Sequence, residues 1–288
     1  MLSPLLQHLG LLLAGCFGVA HTPADALHLI VNDHGSDRPL RFRTDPNGEP
    51  MSGSGAMAAS DFAALAESVP PGYNVTVIDL RQESHGLLNG LPVSWWVDDN
   101  RANAGASLEA ILRDERDKLA ALTAQSGEAI TVYHRRKQPG APTALEPTSV
   151  VVQTVGDEAG EALRHNFSYV RLPMQDHTGA PEPQAVDALL NLIWTRPANQ
   201  WWHFHCQAGK GRTSIFNTAV DIMKRASQKS LENIVAEHTA NGAVNLLQTA
   251  ETEPRRSKYA ARIAFLQKFY QYARSPAARA HVLWSEWQ

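Results

Sequence analysis

Cysteine is nearly missing from this chain: its 288 residues include two, Cys16 and Cys206. That excludes a disulfide framework and a cysteine-based zinc site. The 12 histidines form no His-Glu-x-x-His pattern and no tightly paired spacing, so no metal and no cofactor are expected. Charge is modest as well. Charged residues make up 19% and the formal net charge is -3, which argues against a nucleic-acid partner but allows a local basic pocket. No apolar run reaches the roughly 20 residues of a membrane-spanning helix. Internal repeats and low-complexity tracts are also lacking. What remains, at 43% hydrophobic residues, is a chain able to bury a substantial core as one large domain or two small ones.

The most informative stretch runs from Trp201 to Ser214 (WWHFHCQAGKGRTS). An apolar and aromatic run reads as a buried strand, a loop with Gly209 and Gly211 follows, and Ile215 to Arg225 has the periodicity of a helix. Cys206 therefore sits where a strand ends, and Arg212 and Thr213 open the helix. Amides in such a turn converge on an anion, and the helix N-terminus adds positive potential. That field favours a cysteine's nucleophilic thiolate form. Arg212 can hold two phosphate oxygens with its planar fork, and the Thr213 hydroxyl can donate to the sulfur. A nucleotide P-loop does not fit, because Lys210 is followed by Gly211 rather than Ser or Thr.

A nucleophile of this kind needs an acid to protonate the leaving oxygen. Asp176, in the loop Pro173 to Pro183 ahead of a helix from Pro183 to Thr195, is the candidate. Upstream, Tyr73 to Leu80 reads as a core strand. It runs into a dense polar segment, Asp79 to Gly90, at the end of the strand where open α/β sheets bind ligands. Asp79 and Arg81 are candidates there for ligand contact or loop positioning. Lys258, in a basic run at the start of a helix from Lys258 to Ala273, is a further ligand candidate. Ser107 to Gln125 reads as an amphipathic helix capped by Ser107. Lys137 to Thr148 reads as a loop, and Gly127 to Val155 as a small β appendage. Residues 1–26 read as an export signal, with Ala24-Asp25-Ala26 as cleavage site; Leu13-Ala14-Gly15-Cys16 alternatively resembles a lipoprotein box with a lipid anchor at Cys16. The expected location is periplasmic, secreted or outer-membrane anchored, with 27–288 as the folded domain.

Cys206 and Arg212 with five residues between them, flanked by His205 and Thr213, resemble the signature loop of the cysteine-dependent protein tyrosine phosphatase superfamily. Three segments together, DLRQESHGLLNG from Asp79, Gln175-Asp176-His177, and HCQAGKGRT from His205, resemble its bacterial phytase-like branch. The resemblance implies a tyrosine phosphatase-like α/β sheet flanked by helices, with a small partial β-barrel appended near 127–156. It implies hydrolysis of inositol polyphosphates through a phosphocysteine, with Cys206, Arg212, Asp176, Thr213 and His205 as the catalytic set. The backbone of Gln207, Ala208, Gly209, Lys210 and Gly211 would cradle the phosphate, Arg43 would contact a phosphate, and His177 would line the pocket. Lys210 departs from the small apolar residue that phytase members often carry; phosphoinositide-cleaving relatives place lysine there. Two alternatives stand beside this reading: an exported tyrosine or dual-specificity phosphatase, and a catalytically silent phosphate-binding module.

Overall fold

The computed structural model describes residues 30–33, 39–97, 100–136 and 144–287. The proposed signal and Cys16 lie outside them. In chain order the elements are β1 (Ile30–Asn32), β2 (Arg43–Thr44), β3 (Met51–Ser54), α1 (Ala59–Ser68), β4 (Asn74–Arg81), β5 (His85–Leu88), β6 (Leu91–Trp95) and α2 (Leu108–Thr123). They continue with β7 (Ala129–Arg136), β8 (Ala144–Val151), β9 (Val155–Gly156), α3 (Glu158–Arg164), β10 (Ser168–Met174), α4 (Pro183–Thr195) and β11 (Gln200–His205). The C-terminal part is helical: α5 (Gly211–Arg225), α6 (Leu231–Ala240), α7 (Arg255–Arg274), α8 (Pro276–Arg279) and α9 (Trp284–Trp287).

The strands form two sheets. The main sheet has the order β10-β4-β11-β3-β2, with parallel pairing from β10 through β3 and antiparallel pairing only at β2. Parallel strands are covered on both faces, and here the two faces have separate cores. Ile78, Leu80, Trp202 and Phe204 meet α4, α5 and α7 through Leu189, Phe216, Val220 and Leu266. Val75, Val77 and Trp201 point the other way, onto Phe62, Leu65 and Phe167.

The two-residue period of a strand then dictates where polarity falls. On β4 the face that carries Val75 and Val77 continues with Asp79 and Arg81. In register, His205 on β11 and Arg171 on β10 flank Asp79. One charged row thus crosses three neighbouring strands, all of it buried.

The second sheet, β8-β7-β1-β6-β5-β9, packs Val93, Trp95 and Val132 on Leu119 and Leu122 of α2. The mixed α/β architecture with two sheets flanked by helices agrees with the expected class. Two expectations differ. The small sheet is not confined to 127–155 but takes β1, β5 and β6 as well. The proline-rich loop expected through Thr148 instead contains β8 from Ala144 onward. Pro147 fits there because β8 is an edge strand, where a missing N–H breaks no ladder on the open side. Ser107 caps α2 as expected: its Oγ accepts from Ala110 N at 3.2 Å.

Candidate active site

β11 delivers Cys206 to the head of the main sheet, and α5 starts at Gly211. Between them the loop folds tightly against β3. Ala56 N donates to Gln207 O at 3.0 Å. Gly209 has φ +65, and a Cβ there would come within 2.6 Å of Gly55 N, so only glycine fits both the dihedral and the space. Thr213 Oγ1, fully buried, donates to Cys206 Sγ at 3.2 Å. The sulfur lines a cleft of about 390 Å³ together with Asp176, His177, Lys210, Arg212 and Lys258. A cavity of about 540 Å³ elsewhere, lined by Phe42 and His203 among others, contains none of these groups.

Arg212 is clamped. Its Nη1 and Nη2 donate to Glu83 Oε2 and Oε1 at 2.6 and 3.0 Å, and Nη2 also lies 3.0 Å from Asp176 Oδ2. Burial works against the guanidinium charge, but Glu83, Asp176 and Cys206 outweigh it and raise its pKa well above the ordinary value. Asp176 is held from a second side by Asn100 Nδ2 at 3.3 Å, and Asn100 Nδ2 also reaches Gln207 Oε1 at 3.5 Å. The loop that carries Asp176 rests on α7. Gly179 has φ +90, and a Cβ there would sit 2.2 Å from Lys258 O.

Several expected ligand residues are not in the cleft. Asp79 and Arg81 are fully buried, because their side of β4 faces the small sheet and α2 rather than the strand end. Arg81 pairs with Asp33 at 2.7 Å and with Glu83 at 2.9 Å. Asp79 pairs with Arg171 at 2.9 Å and with His85 at 3.1 Å. Arg43 does not line the cleft; it donates to Gly209 O at 3.0 Å and Ser214 Oγ at 3.1 Å and so ties the loop to the start of α5. His205 is fully buried, with Nε2 3.1 Å from Glu158 Oε2. The sequence alone does not single out Glu83, Asn100 or Arg135. Glu83 had the one usable signal, its place in the dense polar run after β4. Nothing local marks the other two.

Two buried groups, Asp79 with His85 and Glu158, and Asp45 with Asp221 and His238, have ligand atoms within 4.8 Å of one another. In both, guanidinium groups already answer the carboxylates: Arg171 on Asp79, and Arg225 on Asp221 at 2.5 Å. A further cation would have to displace them.

His85 makes the charged row pH-sensitive. Burial and the neighbouring Arg81 oppose its protonation, as does Arg171, but Asp79 and Glu158 win and push its pKa up to about 10 from 6.5. Its Nδ1 faces the Glu83 carbonyl at 2.9 Å and Glu115 Oε2 at 3.4 Å, so its 3.3 Å approach to Arg171 Nη2 sets donor against donor. A pKa raised by folding means that the folded state holds the proton more tightly. The stabilisation is therefore complete below about 6.5 and lost as pH rises through about 10. Urea midpoints measured across that window should fall for the wild-type protein, and His85→Asn should flatten the slope.

With this geometry established, the likenesses to known proteins become specific. The PTP-like phytase family model, described as inositol hexakisphosphate, matches residues 78–224, from inside β4 to near the end of α5. A PTP-like phytase from Bdellovibrio bacteriovorus is 30% identical with a TM-score of 0.76, over 90% of this chain and 94% of that one. The PTP-like myo-inositol phosphatase from Mitsuokella multacida, solved in complex with myo-inositol-(1,3,4,5)-tetrakisphosphate, is 26% identical with a TM-score of 0.79, over 90% of this chain and 48% of that one. Effector protein hopD2 of Pseudomonas syringae pv. tomato is 27% identical over 227 residues, 75% of this chain and 46% of that protein. The chain thus spans about half the length of the last two. A match from β4 to α5 covers Glu83, Asp176, Cys206 and Arg212, the groups that meet around the cleft, and on these grounds the chain belongs to the PTP-like phytase family.

Proposed function

We propose that the chain is a phosphomonoesterase acting on inositol polyphosphates through a phosphocysteine. The observation that carries the reading is the charge of the cleft wall. Lys210, Lys258, Arg262 and Arg135 surround the sulfur in addition to Arg212. One phosphate monoester is served by Arg212 and the loop amides; the further phosphates of a polyphosphorylated ring lie within the field of the other cations of this wall. A bound inositol tetrakisphosphate in the Mitsuokella relative supports the same substrate class.

In the mechanism, the Cys206 thiolate attacks phosphorus in line with the departing oxygen, forming the S–P bond as the P–O bond breaks. Asp176 gives its proton to the leaving alkoxide. Water then attacks phosphorus, Asp176 takes up the proton, and the S–P electron pair returns to sulfur, where the Thr213 hydroxyl stabilises it. Arg212 and the loop amides hold the equatorial oxygens, whose charge they match best in the transition state. Arg212 Nε is buried and has no hydrogen-bond partner among the described residues, which suits a donor directed at such an oxygen. An exported location follows from the N-terminal reading and is in keeping with a relative named as an effector.

The loop from Cys206 to Arg212 by itself also fits a second reading, an exported tyrosine or dual-specificity phosphatase, with which a relative named as an effector is in keeping. Turnover separates the two. The value of kcat/KM should be at least about ten-fold higher for inositol hexakisphosphate than for a phosphotyrosine peptide, given the additional ion pairs. The reverse order overturns the phytase reading.

A further inference from the structure

The connection between β6 and α2 brings one side chain to Asp176. Asn100 is buried, in a turn closed by its N–H on Val97 O at 2.7 Å. Its φ is +58, a left-handed conformation that asparagine tolerates better than most residues. Nδ2 of Asn100 lies between two acceptors, Asp176 Oδ2 at 3.3 Å and Gln207 Oε1 at 3.5 Å. Which way these amides face is set from the far end. The Asp33 carboxylate, paired with Arg81 at 2.7 Å, can only accept. Gln207 must therefore present Nε2 to Asp33 Oδ1, at 2.7 Å, and turn its Oε1 toward Asn100. Asn100 must then offer its NH2, whose two hydrogens match the two acceptors. The reverse orientation would set Asn100 Oδ1 against both oxygens. That Oδ1 is itself buried with no hydrogen-bond partner among the described residues, so no donor on its side favours turning the amide over.

The consequence falls on Asp176. Each carboxyl oxygen offers about two lone-pair sites. Those of Oδ2 are taken by Asn100 Nδ2 and by Arg212 Nη2, the latter at 3.0 Å. Among the described residues Oδ1 accepts only from His177 N, at 3.0 Å. We propose that Asn100 is a positioning residue: together with Arg212 it fills Oδ2, so that the proton given to the leaving oxygen is carried on Oδ1. The inference rests on the phosphocysteine mechanism with Asp176 as its acid, and adds a donor from outside the loop that carries Asp176. Without Asn100, Oδ2 has an open site, the proton divides between two oxygens, and the carboxyl is free to turn. Less of it then has the proton aimed at the leaving oxygen. In the second step the same two donors hold Oδ2 while Oδ1 takes the proton from water. Asn100 is not among the residues that line the cleft, so it acts through Asp176 and not on the substrate.

The test compares kcat/KM for inositol hexakisphosphate, phenyl phosphate and 2,4-dinitrophenyl phosphate in the wild type and in Asn100→Gly, glycine being free to keep the left-handed backbone. An alkoxide or phenolate needs a proton to leave; dinitrophenolate does not. Asn100→Gly should lose about ten-fold or more on the first two substrates and about two-fold or less on the third. Equal losses on all three, or none, overturn the proposal, because a residue that merely supports the signature loop would slow every substrate alike. The two aryl esters alone carry this comparison, so it holds whichever phosphate ester is the natural substrate. Asp176→Asn sets the reference. If it slows all three equally, Asp176 is not the acid, and the mechanism falls together with this proposal. Should Asn100→Gly fail to fold, the side-chain N–H resonances of Asn100 in the wild type decide. They should follow a pH titration step that is absent in Asp176→Asn; resonances without that step overturn the assignment.

Discussion

Cys206→Ser should lower phosphate release from inositol hexakisphosphate by roughly four orders of magnitude or more while leaving substrate affinity within a few-fold. The two side chains are nearly the same size, so the loop and the Thr213 contact can persist. What changes is the nucleophile. A serine hydroxyl is a far weaker acid than a cysteine thiol and remains protonated, and nothing in the loop is placed to take its proton. Among the described residues Cys206 is the one free cysteine, so none of them offers a second thiol in its place. Phosphate release measured alongside calorimetric binding checks both halves. Retained turnover, or binding lost together with turnover, would contradict the phosphocysteine mechanism.

Glu83→Gln should destabilise the fold by about 3–5 kcal/mol, the usual consequence of removing one partner from a buried ion pair. Glu83 is fully buried and lies between two guanidiniums, Arg81 at 2.9 Å and Arg212 at 2.6 Å. Burial alone would raise its pKa; Arg212 and Arg81 overcome that and hold its carboxyl well below its ordinary 4.5. A pKa lowered by folding contributes stability that is present above about 4.5 and lost only as pH falls well below it. The glutamine variant should therefore show a clearly lower urea midpoint at neutral pH and a smaller acid-induced loss. Its kcat should fall as well, because the Arg212 fork loses the carboxylate that orients it. An unchanged midpoint would mean that the two arginines find other partners.

These two residues differ in how readable they are. Around Cys206 the hydrophobic pattern changes from strand-like to helix-like within a few residues, and the glycines and Arg212 fall at the junction. The chemistry there is local, so residue order carries it. The same holds for α4, whose start is marked by Pro183 at the first helical turn, a position where no N–H is needed. Glu83 is different. A carboxylate in a polar run looks alike whether it is solvated or buried, and its partner Arg212 is 129 positions away. The expectation that Asp79 and Arg81 reach the substrate failed for a related reason. Their placement depends on which side of β4 is covered, and α2 and the small sheet decide that.

Residue order alone points to the candidate nucleophile, its anion cradle, the loop that carries the candidate acid and the alternating α/β pattern, because each depends on neighbours within about one turn or one strand. Only the packed fold shows which carboxylate steadies Arg212, that Arg43 ties the loop to α5, and that Arg135 lines the cleft. Each of these follows from strand order and register between segments far apart in the chain, and side-chain identity encodes that pairing only through the whole packed core.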